Sequence, residues 1–403
     1  MKSIYLDHQA ATPLRPEVFA AMQSFLAARF GNASSLHRLG LEARDALEQA
    51  RQHMASFIHA ESAEEIIFTS GGTEAINLAI KGAVWSGRRR GNHLVLSTTE
   101  HPAVTRSVEF LEAQGFRCTK VKVNEVGRID PQNIASAVTD ETCLIAIHHA
   151  NHETGVVQPV EGISEIAAER GVPLFVDATM SAGWLPVDVT QWGAALVALA
   201  PHRFFGPKGV GVLYKNRRTR LTPLLHGGEQ EDQLRAGTEN LPAIVGACVA
   251  CEIAGREMSQ WARHTRQLQQ QLWNGIRAKV PHVRLNGPEP GPERLPTLLN
   301  VSFEFVEGEG IVLMLDVQGI AVASGSACVS RSLKVSPVLD AMGLDATLAR
   351  GSVLFSPGAD NTQEEIDLVI KAVVNVIERL RGLSPAWDDF QRGAIDSLIS
   401  PRR

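Results

Sequence analysis

Along the first two thirds of the chain, short apolar runs of β type alternate with stretches whose apolar positions recur at helical spacing. The β-like runs cover residues 65–69, 94–97, 144–147, 174–176, 195–199 and 210–214, and amphipathic stretches between them include 73–85, 102–114 and 160–170. Nearly continuous apolar strands separated by helices predict a mostly parallel sheet covered on both faces. Ligand sites in such α/β sheets lie beyond the carboxyl ends of the strands.

The pattern changes after about residue 262. A long polar helix over 261–279 leads into a Pro/Gly-rich stretch at 286–293, a strand at 298–303, a run of small residues around Cys328 and a closing helix over 363–380. This predicts a large domain over 15–262. A smaller α+β domain is expected over 263–383, completed by residues 1–14, with a tail over 384–403. The tail carries Trp387 and Phe390 and reads either as a disordered end or as a docking segment. The chain has no internal repeat.

Composition narrows the class without deciding it. With 403 residues, 44% of them hydrophobic and 21% charged, the chain can bury a large core. A net charge of -5 and an isoelectric point near 6.2 give no argument for nucleic-acid binding. The N-terminus lacks the apolar run of a signal peptide, and no segment approaches the roughly 20 apolar residues of a membrane span. The expectation is a soluble, cytoplasmic protein.

Five cysteines do not make a disulfide scaffold in a chain of this length. Cys248 and Cys251 fall in an apolar helical stretch that puts both thiols on one buried face, where Cys behaves as a small hydrophobe. Cys328 differs: the run ASGSACVS at 323–330 cannot fill a core and reads as an exposed, mobile loop.

Several motifs occur in an order that carries a resemblance. They run from YLDHQAATP at 5–13 through GNASSLH at 31–37, FTSGGTE at 68–74, EHPAV at 100–104 and NHETG at 151–155. FVDATMSAG at 175–183, APHRFFGPKG at 200–209, GGEQE at 227–231, RAGTEN at 235–240, SGSAC at 324–328 and FSPG at 355–358 complete the series. On these motifs the chain resembles the NifS/IscS-type cysteine desulfurases of the class V aminotransferase family. The resemblance implies a fold-type I, PLP-transferase-like homodimer acting in sulfur transfer or iron-sulfur chemistry, with a sulfur-acceptor protein as partner.

It also implies a pyridoxal phosphate (PLP) cradle. Gly72 and Thr73 at a helix N-terminus correspond to phosphate contacts, as do His202 and Thr238, the latter reaching across from a second subunit. His101 corresponds to the ring that stacks on the pyridine, and Asp177 to the carboxylate that pairs with the pyridine nitrogen. Cys328 corresponds to the thiol that receives the sulfur.

Departures from the family gather at the same place. Arg203 stands where the family has the lysine that forms the Schiff base with PLP, and a guanidinium has no amine to offer for that bond. His152 replaces an asparagine and Met180 a glutamine beside the PLP phenolic oxygen. Ala200 replaces a phosphate-binding serine, Glu229 a glycine, and Leu354 the arginine that grips the substrate carboxylate. Lys208 matches a second lysine the family has in any case and does not compensate.

Three readings follow. In the first, the chain lacks Schiff-base desulfurase activity and keeps Cys328 as a sulfur carrier, a cluster or metal ligand, or a docking element. In the second, PLP is held noncovalently at best, and the protein acts on an altered substrate. In the third, the chain is a catalytically silent regulatory or assembly subunit. No metal site is expected.

Overall fold

The computed structural model describes residues 3–88, 90–325 and 335–399. Strand β1 (Ile4–Tyr5) and helices α1 (Pro16–Ala27) and α2 (Arg38–Phe57) precede the main sheet. That sheet is built from β2 (Ile66–Thr69), β3 (His93–Ser97), β4 (Arg117–Val121), β5 (Thr142–His148), β6 (Leu174–Asp177), β7 (Leu196–Leu199) and β8 (Gly211–Lys215). Helices α3 (Gly72–Ser86), α4 (Pro102–Glu112), α5 (Pro131–Ala137) and α6 (Val160–Glu169) alternate with the strands.

The strand order is β2-β8-β7-β6-β5-β3-β4. From β7 to β4 every pairing is parallel, whereas β8 runs antiparallel to both β7 and β2. The sheet is therefore mixed and mostly parallel. Its inner strands are buried along their whole length, as continuous apolar runs between two helical layers must be. Edge strand β4 reads RCTKV and is largely exposed, so it carries no apolar run by which the sequence could announce it.

One apolar core fills the space between this sheet and α1, α2, α6 and the first part of α7 (Leu241–Lys279); another lies under α3 and α4 on the opposite face. The sequence predicts a polar helix beginning at Trp261, but α7 is a single helix of 39 residues that crosses 262/263 unbroken. Nothing inside it stops a helix: its proline sits in the first turn, and a Cβ at its Gly255 would meet no atom within 4 Å.

A second, antiparallel sheet has the order β12-β13-β10-β9, from β9 (Val283–Asn286), β10 (Leu299–Phe303), β12 (Ala323–Ser324) and β13 (Ser352–Phe355). Strand β11 (Ile320–Ala321) pairs with β1 in parallel, and Asp7 bridges to Ser356, so the N-terminal residues join this part of the molecule. Its core packs the second half of α7 against α8 (Gly308–Asp316) and α11 (Gln363–Arg381). Short helices α9 (Pro337–Ala341) and α10 (Ala346–Arg350) lie between β12 and β13 in sequence.

Arg294, fully buried, ties the two sheets together. Its guanidinium donates to the carbonyls of Thr154, Asn286, Pro288 and Leu298. The tail is docked as far as residue 399. Helix α12 (Pro385–Gln391) lays Trp387 and Phe390 on His282 and Phe305, and the Ser397 hydroxyl donates to Glu304 at 2.6 Å.

Candidate active site

Most of the predicted site residues that the structure describes gather beyond the carboxyl ends of the main-sheet strands. From β2 the chain turns through Ser70 and Gly71 into α3. Gly71 caps that helix with no side-chain oxygen, which leaves the first-turn N–H groups to an external anion. Glu74 secures the turn from the side: it accepts the Ser70 N–H at 2.8 Å and pairs with Arg235 at 3.1 Å. Two close approaches fix its shape. A Cβ on Gly211 of β8 would come within 2.3 Å of the Gly71 backbone, and one on Gly72 within 3.0 Å of Thr179.

Asp177 ends β6, buried, with one carboxylate oxygen accepting both the N–H and the hydroxyl of Thr179 at 3.0 and 2.6 Å. His101 follows β3 and caps α4, its Nδ1 accepting the Ala103 N–H at 3.0 Å. That contact makes Nδ1 an acceptor and leaves Nε2 as the ring position for a proton. His152, beyond β5, meets the His101 ring edge-on with centroids 4.9 Å apart.

After β7, Ala200, His202 and Arg203 form a single 3-10 turn. The Arg203 N–H donates to Ala200 at 3.0 Å, the Trp184 indole donates to the Arg203 carbonyl at 2.8 Å, and Thr12 donates twice to the His202 carbonyl. A cavity of about 420 Å³ lies over these elements, lined among others by Gly72, Thr73, His101, Met180, His202 and Arg203. Ala200 and Lys208 also face it.

Not every predicted residue arrives there. Thr238 is exposed on its own chain and does not line the cavity. Glu229 is exposed over a different hollow, beside Arg51. Leu354 is buried on β13, its side chain beneath Gly325. Cys328 lies outside the described residues.

The site's electrostatics are set by burial and by the Arg203 charge, with Lys208 adding at His202. Burial, reinforced by the Arg203 charge and partly offset by Asp177, holds His101 below the usual imidazole range. Burial also pushes His152 far down, with His101, His148 and Arg203 adding to it. His202 falls to about 4, from burial first and then from Arg203 and Lys208. All three rings are neutral near pH 7.

Two carboxylates that motif reading did not single out belong to this neighbourhood. Burial raises Asp7 to about 6, and the nearby Arg203 charge draws it back only in part. Glu153, buried, is raised to about 7 by burial; the Ser336 hydroxyl donates to it at 2.5 Å, and a Cβ on Gly325 would lie 3.3 Å from it. Each lies inside a quoted motif, but only folding shows what surrounds it.

The donor set fits PLP at two of its three ends. The uncapped α3 N-terminus, Thr73 and His202 suit a phosphate, and the second carboxylate oxygen of Asp177 remains for a pyridine nitrogen. At the aldehyde end the turn after β7 presents Arg203 in place of an amine. Lys208 is on the cavity wall, five residues along the chain from Arg203.

Comparison with known proteins agrees with this architecture. The family model for aminotransferase class-V matches residues 4–369. The chain is 43% identical over 390 residues to a cysteine desulfurase IscS of Dictyoglomus turgidum, covering 97% of this chain and 98% of that one. It is 44% identical over 396 residues to a cysteine desulfurase IscS of Cronobacter sakazakii, covering 97% and 96%. A solved NifS-like protein superposes with a TM-score of 0.88 at 33% identity, covering 94% of this chain and all of that one. With the fold, the order of motifs and near end-to-end likeness in agreement, the chain belongs to the class-V aminotransferase family, in its NifS/IscS-type branch.

Proposed function

We propose that this protein is a cysteine desulfurase homologue that does not attach PLP covalently and serves a sulfur-transfer or iron-sulfur pathway of the cytoplasm as a homodimer, with Cys328 as sulfur carrier. The observation that carries the reading is Arg203 at the wall of the cavity, in the turn where the family's amine stands. A guanidinium stays protonated at any working pH and has no lone pair for carbonyl capture.

In this reading PLP is held noncovalently. Gly72, Thr73 and His202 bind its phosphate, with Thr238 supplied by the second copy, and Asp177 holds the ring nitrogen. Bound there, PLP supplies an electron sink for a carbanion at an amino acid's α-carbon. Neutral His101 keeps its proton on Nε2, while the side chains of Met180 and Ala200 offer the cavity no hydrogen-bond donor. Leu354 leaves β13 without a cation for a substrate carboxylate.

Sulfur enters from a donor persulfide. The Cys328 thiolate attacks the outer sulfur of R–S–SH, the S–S bond breaks, and R–SH leaves with the proton while Cys328 keeps the persulfide. The donor is an active desulfurase or a low-molecular-weight persulfide.

The test is restoration. Purified wild type is expected to lose any PLP colour on desalting, to release no sulfide from cysteine, and to gain the mass of one sulfur at Cys328 when given a persulfide donor. Arg203→Lys is expected to retain colour through desalting and to be trapped by borohydride, and adding Leu354→Arg to raise sulfide release. A wild type that holds pyridoxal covalently and turns over cysteine as fast as its relatives overturns the reading.

A further inference from the structure

The packing of α2 on α7 places three ligand-type side chains together, away from the cavity over the main sheet. His53 comes from α2, and Cys248 and Glu252 stand one turn apart on α7. His53 Nδ1 lies 3.0 Å from Cys248 Sγ and 2.8 Å from Glu252 Oε1, and Cys248 Sγ lies 3.6 Å from that same oxygen. None of the three lines the candidate active site.

Without a cation, hydrogen bonds satisfy the two edges at Glu252, the ring N–H and the thiol each donating to its Oε1, and leave the 3.0 Å approach of Nδ1 to Sγ to a ring nitrogen whose one proton is already committed. A cation at the centre of the triangle serves all three. Zinc bonds of about 2.0–2.1 Å to nitrogen and oxygen and about 2.3 Å to sulfur put tetrahedral ligands about 3.3–3.6 Å apart. The observed edges reach that range with shifts of a few tenths of an ångström in flexible side chains.

The donor set selects the ion. One thiolate, one imidazole and one carboxylate suit a borderline divalent metal and disfavour calcium or magnesium, which prefer oxygen ligands throughout. The side chains of His53 and Glu252 are 52% and 41% exposed, so water can reach the fourth position, while Cys248 is buried. Behind it, Cys251 Sγ lies 3.4 Å from Met54 Sδ and closes the inner side.

We propose that His53, Cys248 and Glu252 form a binding site for one zinc-class divalent cation, with three protein ligands and a water molecule, clamping α2 to α7. Binding replaces the thiol proton with the metal–sulfur bond and releases that proton to water.

The experiment uses untagged full-length protein, stripped with chelator and titrated with cobalt(II) as a spectroscopic stand-in for zinc(II). One equivalent is expected to give a thiolate-to-cobalt charge-transfer band that zinc(II) displaces, and zinc(II) is expected to raise the melting temperature. Cys248→Ser is expected to abolish the band, and His53→Ala and Glu252→Gln each to weaken binding by about tenfold or more. Cys328→Ala is expected to leave the band in place. If Cys248→Ser does not fold, half-exposed His53→Ala decides. A band that survives Cys248→Ser or His53→Ala, one removed by Cys328→Ala, or binding seen only at millimolar metal overturns the proposal.

Discussion

Thr179 holds Asp177 by two hydrogen bonds to one carboxylate oxygen, from its N–H at 3.0 Å and from its hydroxyl at 2.6 Å. The carboxylate is thereby fixed with its other oxygen uncommitted to Thr179. A hydrogen bond to a charged group contributes about 1.5–3 kcal/mol. Thr179→Val, which keeps the N–H and loses the hydroxyl, is expected to weaken PLP binding by about tenfold, and Asp177→Asn by more. Absorbance titration with PLP at neutral pH measures both, and unchanged affinity in Asp177→Asn would remove that residue from the cofactor's contacts.

Gly211 and Gly255 make a matched pair. An alanine methyl at 211 would meet the Gly71 backbone at 2.3 Å, whereas one at 255 would meet nothing within 4 Å. Gly211→Ala is expected to destabilise the protein by about 1–3 kcal/mol and to abolish phosphate binding at the start of α3. Gly255→Ala, in the interior of α7, is expected to stabilise it by about 0.5–1 kcal/mol. Urea unfolding of the two variants checks the contrast.

Glu153 makes stability depend on pH. Its acidity is shifted from an ordinary 4.5 to about 7 by burial, so the folded protein holds a proton there that the unfolded chain has released. The associated stability is complete below pH 4.5 and is lost as pH rises to about 7, by about 3 kcal/mol in all. Glu153→Gln keeps an acceptor for Ser336 and cannot ionise. Its stability relative to wild type is expected to rise across that interval, and denaturant midpoints at a series of pH values measure it; parallel profiles would contradict the assignment.

Arg51 and Glu231 form a buried two-pronged ion pair, with both N–H to oxygen distances at 2.8 Å, and Glu231 also accepts the Phe68 N–H at 2.8 Å. Glu231, Asp232 and Gln233 are three consecutive non-glycine residues in left-handed conformation, an arrangement that persists only when its surroundings hold it. Arg51→Met strands a buried charge and is expected to cost about 3–5 kcal/mol. It is also expected to speed proteolysis within 226–240. Equal cleavage rates for variant and wild type would show that the pair does not hold that loop.

The main sheet was legible because its buried strands are apolar without interruption, and the site because its motifs sit at strand ends. Strand β4 was not, since an exposed edge selects for residues such as Arg117 and Lys120. The continuity of α7 was hidden by a change of surroundings: around residue 261 it passes from one core to another, and the side-chain pattern shifts while the backbone does not. Asp7 and Glu153 gain their character from burial that only the folded chain provides, which the distant Arg203 and Ser336 offset in part, and spacing cannot report such enclosure. The seat of Leu354 beneath Gly325 was equally out of reach.

At 39 residues, α7 is a rod about 58 Å long. Because both cores grip it, α7 itself offers no flexible strap at which a protease or a denaturant could part the two sheets. Heating is therefore expected to melt the molecule in one concerted event, and shortening α7 anywhere along its length to register at both ends.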